Sequence, residues 1–82
     1  MSDAVLTLYG GTGCGLCDQA RALVLPILAE EGWSLREVNI RGDAELEARY
    51  GLRIPVVQTP SGAEKGWPFT AGQVRRLLQE HD

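Results

Sequence analysis

The sequence predicts an α/β fold, a four-stranded mixed sheet in the order β-α-β-α-β-β-α with helices able to cover both faces. Three observations carry that reading. A nearly unbroken β-prone run, Val5-Leu6-Thr7-Leu8-Tyr9, leads through glycines into a long stretch of helical periodicity. A second strand follows that helix closely enough to make a βαβ unit, whose crossover is right-handed and whose strands run parallel. The remaining chain holds a proline-initiated strand, a turn, a short returning strand and a capped amphipathic helix.

Taken in order, residues 4 to 9 suit a central strand covered on both faces. Gly10, Gly11 and Gly13 surround Thr12, so the chain can turn sharply there without Cβ clashes before a helix begins near Cys14. Leu16, Ala20, Leu23, Val24, Ile27 and Leu28 recur at helical spacing as one apolar stripe over residues 14 to 31, with Gly32 as a left-handed cap. Pro26 cannot donate to the carbonyl of Ala22, so a kink or a break into two segments is expected there. Trp33 to Ile40 alternates roughly between apolar and charged residues and reads as a second, less buried strand.

Asp43 then has the position of an N-cap, Leu46 and Tyr50 share a face at i and i+4, and Gly51 closes a short helix. A third strand starts near Ile54, with Pro55 at its beginning because proline has no ladder N–H to donate. Thr59-Pro60-Ser61-Gly62 is a turn, and Ala63 to Trp67 returns as an edge strand weakened by Gly66 and stopped by Pro68. Thr70 and Gln73 have the capping-box spacing, flanked by Phe69 and Val74 as a hydrophobic staple. Val74, Leu77 and Leu78 form the apolar face of the last helix.

The length, 82 residues, suffices for one domain over residues 1–82 with a modest core, so a substrate is expected to dock on its surface. A net charge of −3 and no basic block make nucleic acid and anionic membrane poor partners. Asp3 stands where a secretory leader would carry basic residues, and no apolar stretch approaches the roughly 20 residues that span a bilayer. A cytoplasmic monomer is the expectation.

The chain's only cysteines are Cys14 and Cys17, spaced as Cys14-Gly15-Leu16-Cys17 at the opening of the first helix. A thiol is nucleophilic as thiolate, which the amide dipoles of a helix N-terminus favour, and a second thiol one turn on can close a disulfide. In a reducing compartment such a lone pair suggests redox turnover or metal binding rather than a structural staple. Zinc takes about four ligands, and beyond the two thiols the chain offers only His81. Gly11-Thr12-Gly13 superficially suggests a dinucleotide loop, but Leu16 stands where the third glycine of that fingerprint belongs.

Over nearly its whole length the chain resembles the thioredoxin superfamily, and within it a small glutaredoxin-like protein of bacterial type. The residues that carry the resemblance are Cys14-Gly15-Leu16-Cys17 with Asp18, Arg53-Ile54-Pro55-Val56 at the third strand, and Trp67-Pro68 before the last helix. The resemblance implies a thiol-disulfide oxidoreductase acting on a protein or small-thiol disulfide. Cys14 would be the nucleophile and Cys17 the resolving thiol. It also implies a cis Ile54–Pro55 bond against the cysteine loop, with Ile54, Pro55, Thr12 and Gly13 meeting the substrate. No bound cofactor is expected, and glutathione is the candidate reductant.

The chain departs from the glutaredoxin pattern in three places. Gly15-Leu16 replaces the usual Pro-Tyr, no lysine precedes Cys14, and Gly66-Trp67-Pro68-Phe69-Thr70 occupies the place of the Gly-Gly-acidic turn that holds glutathione. Arg21, Arg41 and Arg53 are further candidates, the last two for a carboxylate ligand, with surface placement as the default for each. Two other functions compete with exchange: a dimeric carrier holding an iron-sulfur cluster or soft metal on Cys14 and Cys17, and a redox-inactive interaction module.

Overall fold

The parallel pair required by the βαβ reading is present, and it sets the frame for everything else. In a computed structural model, which describes residues 4–80, strand β1 (Val5–Gly10) pairs in parallel with β2 (Ser34–Asn39) across helix α1 (Gly15–Glu31). Helix α2 (Ala44–Tyr50) follows, then β3 (Val56–Gln58), β4 (Glu64–Gly66) and helix α3 (Ala71–Gln79). The sheet order is β2-β1-β3-β4, with β3 antiparallel to β1 and β4 antiparallel to β3. This is the thioredoxin-like arrangement that the element order predicts.

Local signals set most element ends. Cys14 caps α1 and Gly32 ends it at φ 74°, the left-handed conformation that glycine adopts without a Cβ penalty. Asp43 caps α2 through the Leu46 amide. Thr70 and Gln73 complete the reciprocal capping box of α3, while Phe69 and Val74 on either side of it are both buried.

Two expectations are corrected. Helix α1 does not break at Pro26 but runs as one element from Gly15 to Glu31. Pro26 lies exposed on its outer side while Val24, Ile27 and Leu28 on either side of it are buried, so core packing keeps both halves in one helix. Strand β1 is central but not covered along both faces. Leu6 and Leu8 are buried under α1 and α3, whereas Val5, Thr7 and Tyr9 are half-buried. The reason is the shortness of α2, whose Leu46 and Tyr50 reach only Tyr9, Ile40, Ile54 and Val56 near the cysteine end. The rest of that face is an open groove lined by Val5, Thr7, Arg36, Gln58, Thr59 and Pro60.

Candidate active site

The β1–α1 junction delivers both cysteines to one edge of the sheet. Cys14 has extended backbone (φ −96°, ψ 103°), and its Sγ accepts a hydrogen bond from the Cys17 amide at 3.1 Å. That amide belongs to the first turn of α1, whose N–H groups lack intrahelical acceptors, so the sulfur sits where the helix best supports negative charge. Cys14 and Cys17 are joined as a disulfide, with Cα atoms 5.2 Å apart. Cys14 is half-buried and Cys17 is 3% exposed. An attacking reagent therefore reaches Cys14 before Cys17.

Two glycines allow this loop to pack as it does. A Cβ on Gly10 would lie 3.0 Å from the Cys17 Sγ, so the bare backbone at the end of β1 makes room for the inner sulfur. A Cβ on Gly11 would lie 3.0 Å from the Arg41 Nε and 3.2 Å from the Ile54 Cδ1. The cysteine loop thus rests against the segment that opens β3. The Ile54–Pro55 bond is cis, as the resemblance implies, and so is Trp67–Pro68, which no sequence signal indicated. Pro55 is buried, and its carbonyl accepts the Trp67 amide at 2.9 Å, tying this segment to the end of β4.

Thr12 and Gly13 are exposed beside the disulfide. The Thr12 Oγ1 accepts a hydrogen bond from the Asn39 Nδ2 at 2.9 Å, and the Asn39 Oδ1 accepts the Arg41 amide at the same distance. Asn39 therefore clamps the cysteine loop to the turn after β2. A cleft of about 210 Å³ reaches Cys17 from this side, lined by Leu8, Gly10, Gly11, Arg21, Glu37, Val38 and Asn39.

The arginines differ in how far they are engaged. Arg21 bonds Asp18 at 2.9 Å and Glu37 at 2.8 Å, and these two hydrogen-bonded carboxylates, Asp18 first, raise its pKa further. Its charge is spoken for. Arg53 lies 3.8 Å from Glu64 and over the Tyr50 ring at 5.3 Å from the centroid. The Arg41 guanidinium, by contrast, is exposed and has no ion-pair partner among the described residues.

Behind Ile54 and Pro55 lies a polar network. Tyr9 stacks on Tyr50 with ring centroids 4.4 Å apart and donates to the Gln58 Oε1 at 2.9 Å. Tyr50 donates its hydroxyl to Glu64, and the Gln58 Nε2 donates to the same carboxylate at 3.0 Å. Burial, reinforced by the bond to Glu64, holds the Tyr50 pKa above its ordinary value. Tyr9 is thus a structural residue of this face rather than a wall of the cysteine site.

Among the described residues no three His, Cys, Asp or Glu side chains converge as metal ligands, and His81 lies outside those residues. Sequence reasoning read Gly10 only as a turn residue and missed Glu37 and Asn39. An amide at a strand end before Ile40-Arg41-Gly42 is ordinary turn composition, and nothing local in it points to Thr12.

Comparison with known proteins agrees with this fold. The search of curated proteins found no match. An X-ray structure of the protein XcR50 from X. campestris is 43% identical, with 92% of this chain and 96% of that chain covered and a TM-score of 0.76. A solution structure of the protein Ne2328 from Nitrosomonas europaea is similar in fold at 24% identity, covering 90% of this chain and 89% of that one, with a TM-score of 0.77. A mutant thioredoxin from Halobacterium salinarum is likewise similar in fold at 16% identity, over 98% of this chain and 75% of that chain, with a TM-score of 0.74. The family model described as "Glutaredoxin-like domain (DUF836)" matches residues 5–79, and the chain belongs to that glutaredoxin-like family of the thioredoxin fold.

Proposed function

We propose that this protein is a dithiol-disulfide oxidoreductase that reduces a protein or low-molecular-weight disulfide. The observation that carries the reading is the asymmetry of the cysteine pair. The half-exposed Cys14 caps a helix and accepts an amide hydrogen bond, while its bonded partner Cys17 is buried one turn inward. In the reduced protein the Cys14 thiolate attacks one sulfur of the substrate disulfide. A Cys14–substrate S–S bond forms, the substrate S–S bond breaks, and the departing thiolate takes a proton from water. Cys17 then loses its proton and attacks the Cys14 sulfur, forming the Cys14–Cys17 bond and releasing the second thiolate. The protein dithiol is oxidised and the substrate disulfide is reduced to two thiols.

Ile54 and Pro55, which open β3 beside Gly11, and Thr12 and Gly13, which precede Cys14 in the chain, are the residues we assign to substrate contact. Two equivalents of a thiol, with glutathione as the first candidate, regenerate the dithiol by successive exchange and leave as their own disulfide, a cycle suited to a reducing compartment such as the cytoplasm. Cys17→Ser is expected to trap a stable mixed disulfide on Cys14, readable by mass spectrometry, and Cys14→Ser to form none. Rapid turnover of a dithiol-forming substrate by Cys17→Ser would overturn the assignment of roles. Failure of the wild-type pair to form a disulfide at any accessible potential would overturn the activity itself.

A further inference from the structure

We propose that Glu64, at the head of edge strand β4, is a positioning residue that holds the main chain of Ile54 in the orientation a substrate meets. The inference rests on the exchange activity and the Ile54 contact proposed above, and it names what sets that edge. The observation behind it is where the hydrogen bonds stop. Arg53 donates its amide to the Tyr50 carbonyl at 2.8 Å, and the Pro55 carbonyl accepts the Trp67 amide at 2.9 Å. Ile54, half-buried between them, has no backbone hydrogen bond to any other described residue. Its N–H and C=O are thus open to solvent or to a ligand, in an orientation fixed by the two neighbours.

Both neighbours are tied to β4, one through the main chain and one through Glu64. Trp67, which holds Pro55, directly follows the strand. The Glu64 carboxylate accepts the Tyr50 hydroxyl and the Gln58 Nε2, the latter at 3.0 Å, and lies 3.8 Å from the Arg53 guanidinium, which also covers the Tyr50 ring. Glu64 therefore joins at one point the residue that accepts the Arg53 amide, the Arg53 side chain and the adjacent strand. An ionised carboxylate accepts from several donors at once, whereas a glutamine in its place keeps the shape but turns an NH2 toward some of them. Glu64→Gln thus loosens the Arg53 side of Ile54 and leaves the Pro55 side tied.

The test compares two neutral disulfides, one with amides beside its sulfurs and one without: the disulfide of N-acetylcysteine methylamide, and bis(hydroxyethyl) disulfide. The reduced protein is mixed with each under conditions where urea unfolding shows every variant to be folded, and each rate is divided by that of dithiothreitol with the same disulfide. Wild type is expected to favour the amide probe by about fivefold, the scale of one net hydrogen bond to the backbone. Glu64→Gln should remove most of that preference by slowing the amide probe, with the hydroxyethyl rate kept within about twofold, and Tyr50→Phe, which deletes one donor to Glu64, should lower it by about half. Glu30→Gln removes an exposed carboxylate from α1 and should leave the preference as in wild type. A merely structural loss slows both probes alike. Equal slowing of both by Glu64→Gln, an unchanged preference in that variant, or a wild type without preference would overturn this proposal while leaving exchange standing. Reaction of the wild type with neither probe would instead overturn the exchange reading.

Discussion

On the face covered by α1 and α3, Leu6, Leu8, Val24, Ile27, Leu28, Val57 and Val74 pack with Phe69 and Leu78 into one apolar cluster. On the other face only Ile40, Tyr50 and Val56 are buried together, and a hydrogen-bonded chain from Tyr9 through Gln58 to Glu64 and Tyr50 lies among them. The first face is held by removal of aliphatic surface from water, which is roughly proportional to area and insensitive to pH. The second buries little and depends on polar groups that must stay paired. It is also the face whose elements lead into Ile54, Pro55 and Arg41. Bulk stability and the shape of the Ile54–Pro55 edge are therefore carried largely by different sets of side chains.

The contrast can be broken by mutation, and the largest effect is expected on the aliphatic face. Leu6 is fully buried, so Leu6→Ala should cost about 3 kcal/mol in urea unfolding, a large share of the roughly 5–15 kcal/mol that holds a domain together. The cost should be nearly the same at neutral and mildly alkaline pH. Tyr50→Phe on the opposite face keeps the ring stack and removes one hydrogen bond to Glu64, so about 1 kcal/mol is expected.

That second variant also has a pH signature. The Tyr50 pKa is raised in the folded protein, chiefly by burial, so the stability tied to it is fully present below the ordinary tyrosine value of about 10. It is lost as pH rises through the raised folded value, because the unfolded chain releases the proton first. Wild type should thus lose more stability than Tyr50→Phe between neutral pH and that range. Parallel pH profiles for the two proteins would show that the small face has no such titration. The smallest effect is expected at the exposed Arg75–Glu30 pair, 3.1 Å apart, where Arg75→Gln should change stability by less than about 0.5 kcal/mol.

Much of this molecule is legible residue by residue. The run from Val5 to Tyr9, the stripe from Leu16 to Leu28, the caps at Gly32, Asp43 and Thr70, and the proline opening the third strand each rest on a period or a backbone preference contained within a few residues. Pro26 misled because the rule that proline breaks a helix is local, while the packing of Val24, Ile27 and Leu28 that overrides it is not. Coverage of β1 misled for a related reason: an apolar run says that a strand is central but not how far a seven-residue helix reaches across its second face.

By itself, then, the sequence determined the order of elements and the placing of Cys14 and Cys17 at a helix start, since glycines, caps and apolar spacing act within one or two turns of chain. The tertiary structure alone decided that Cys17 packs on Gly10, that Ile54 and Arg41 meet at Gly11, and that Asn39 bonds a threonine 27 residues earlier. Those contacts join separate elements through the β2-β1-β3 sheet order, and their partners are fixed by which strands lie side by side rather than by any local pattern.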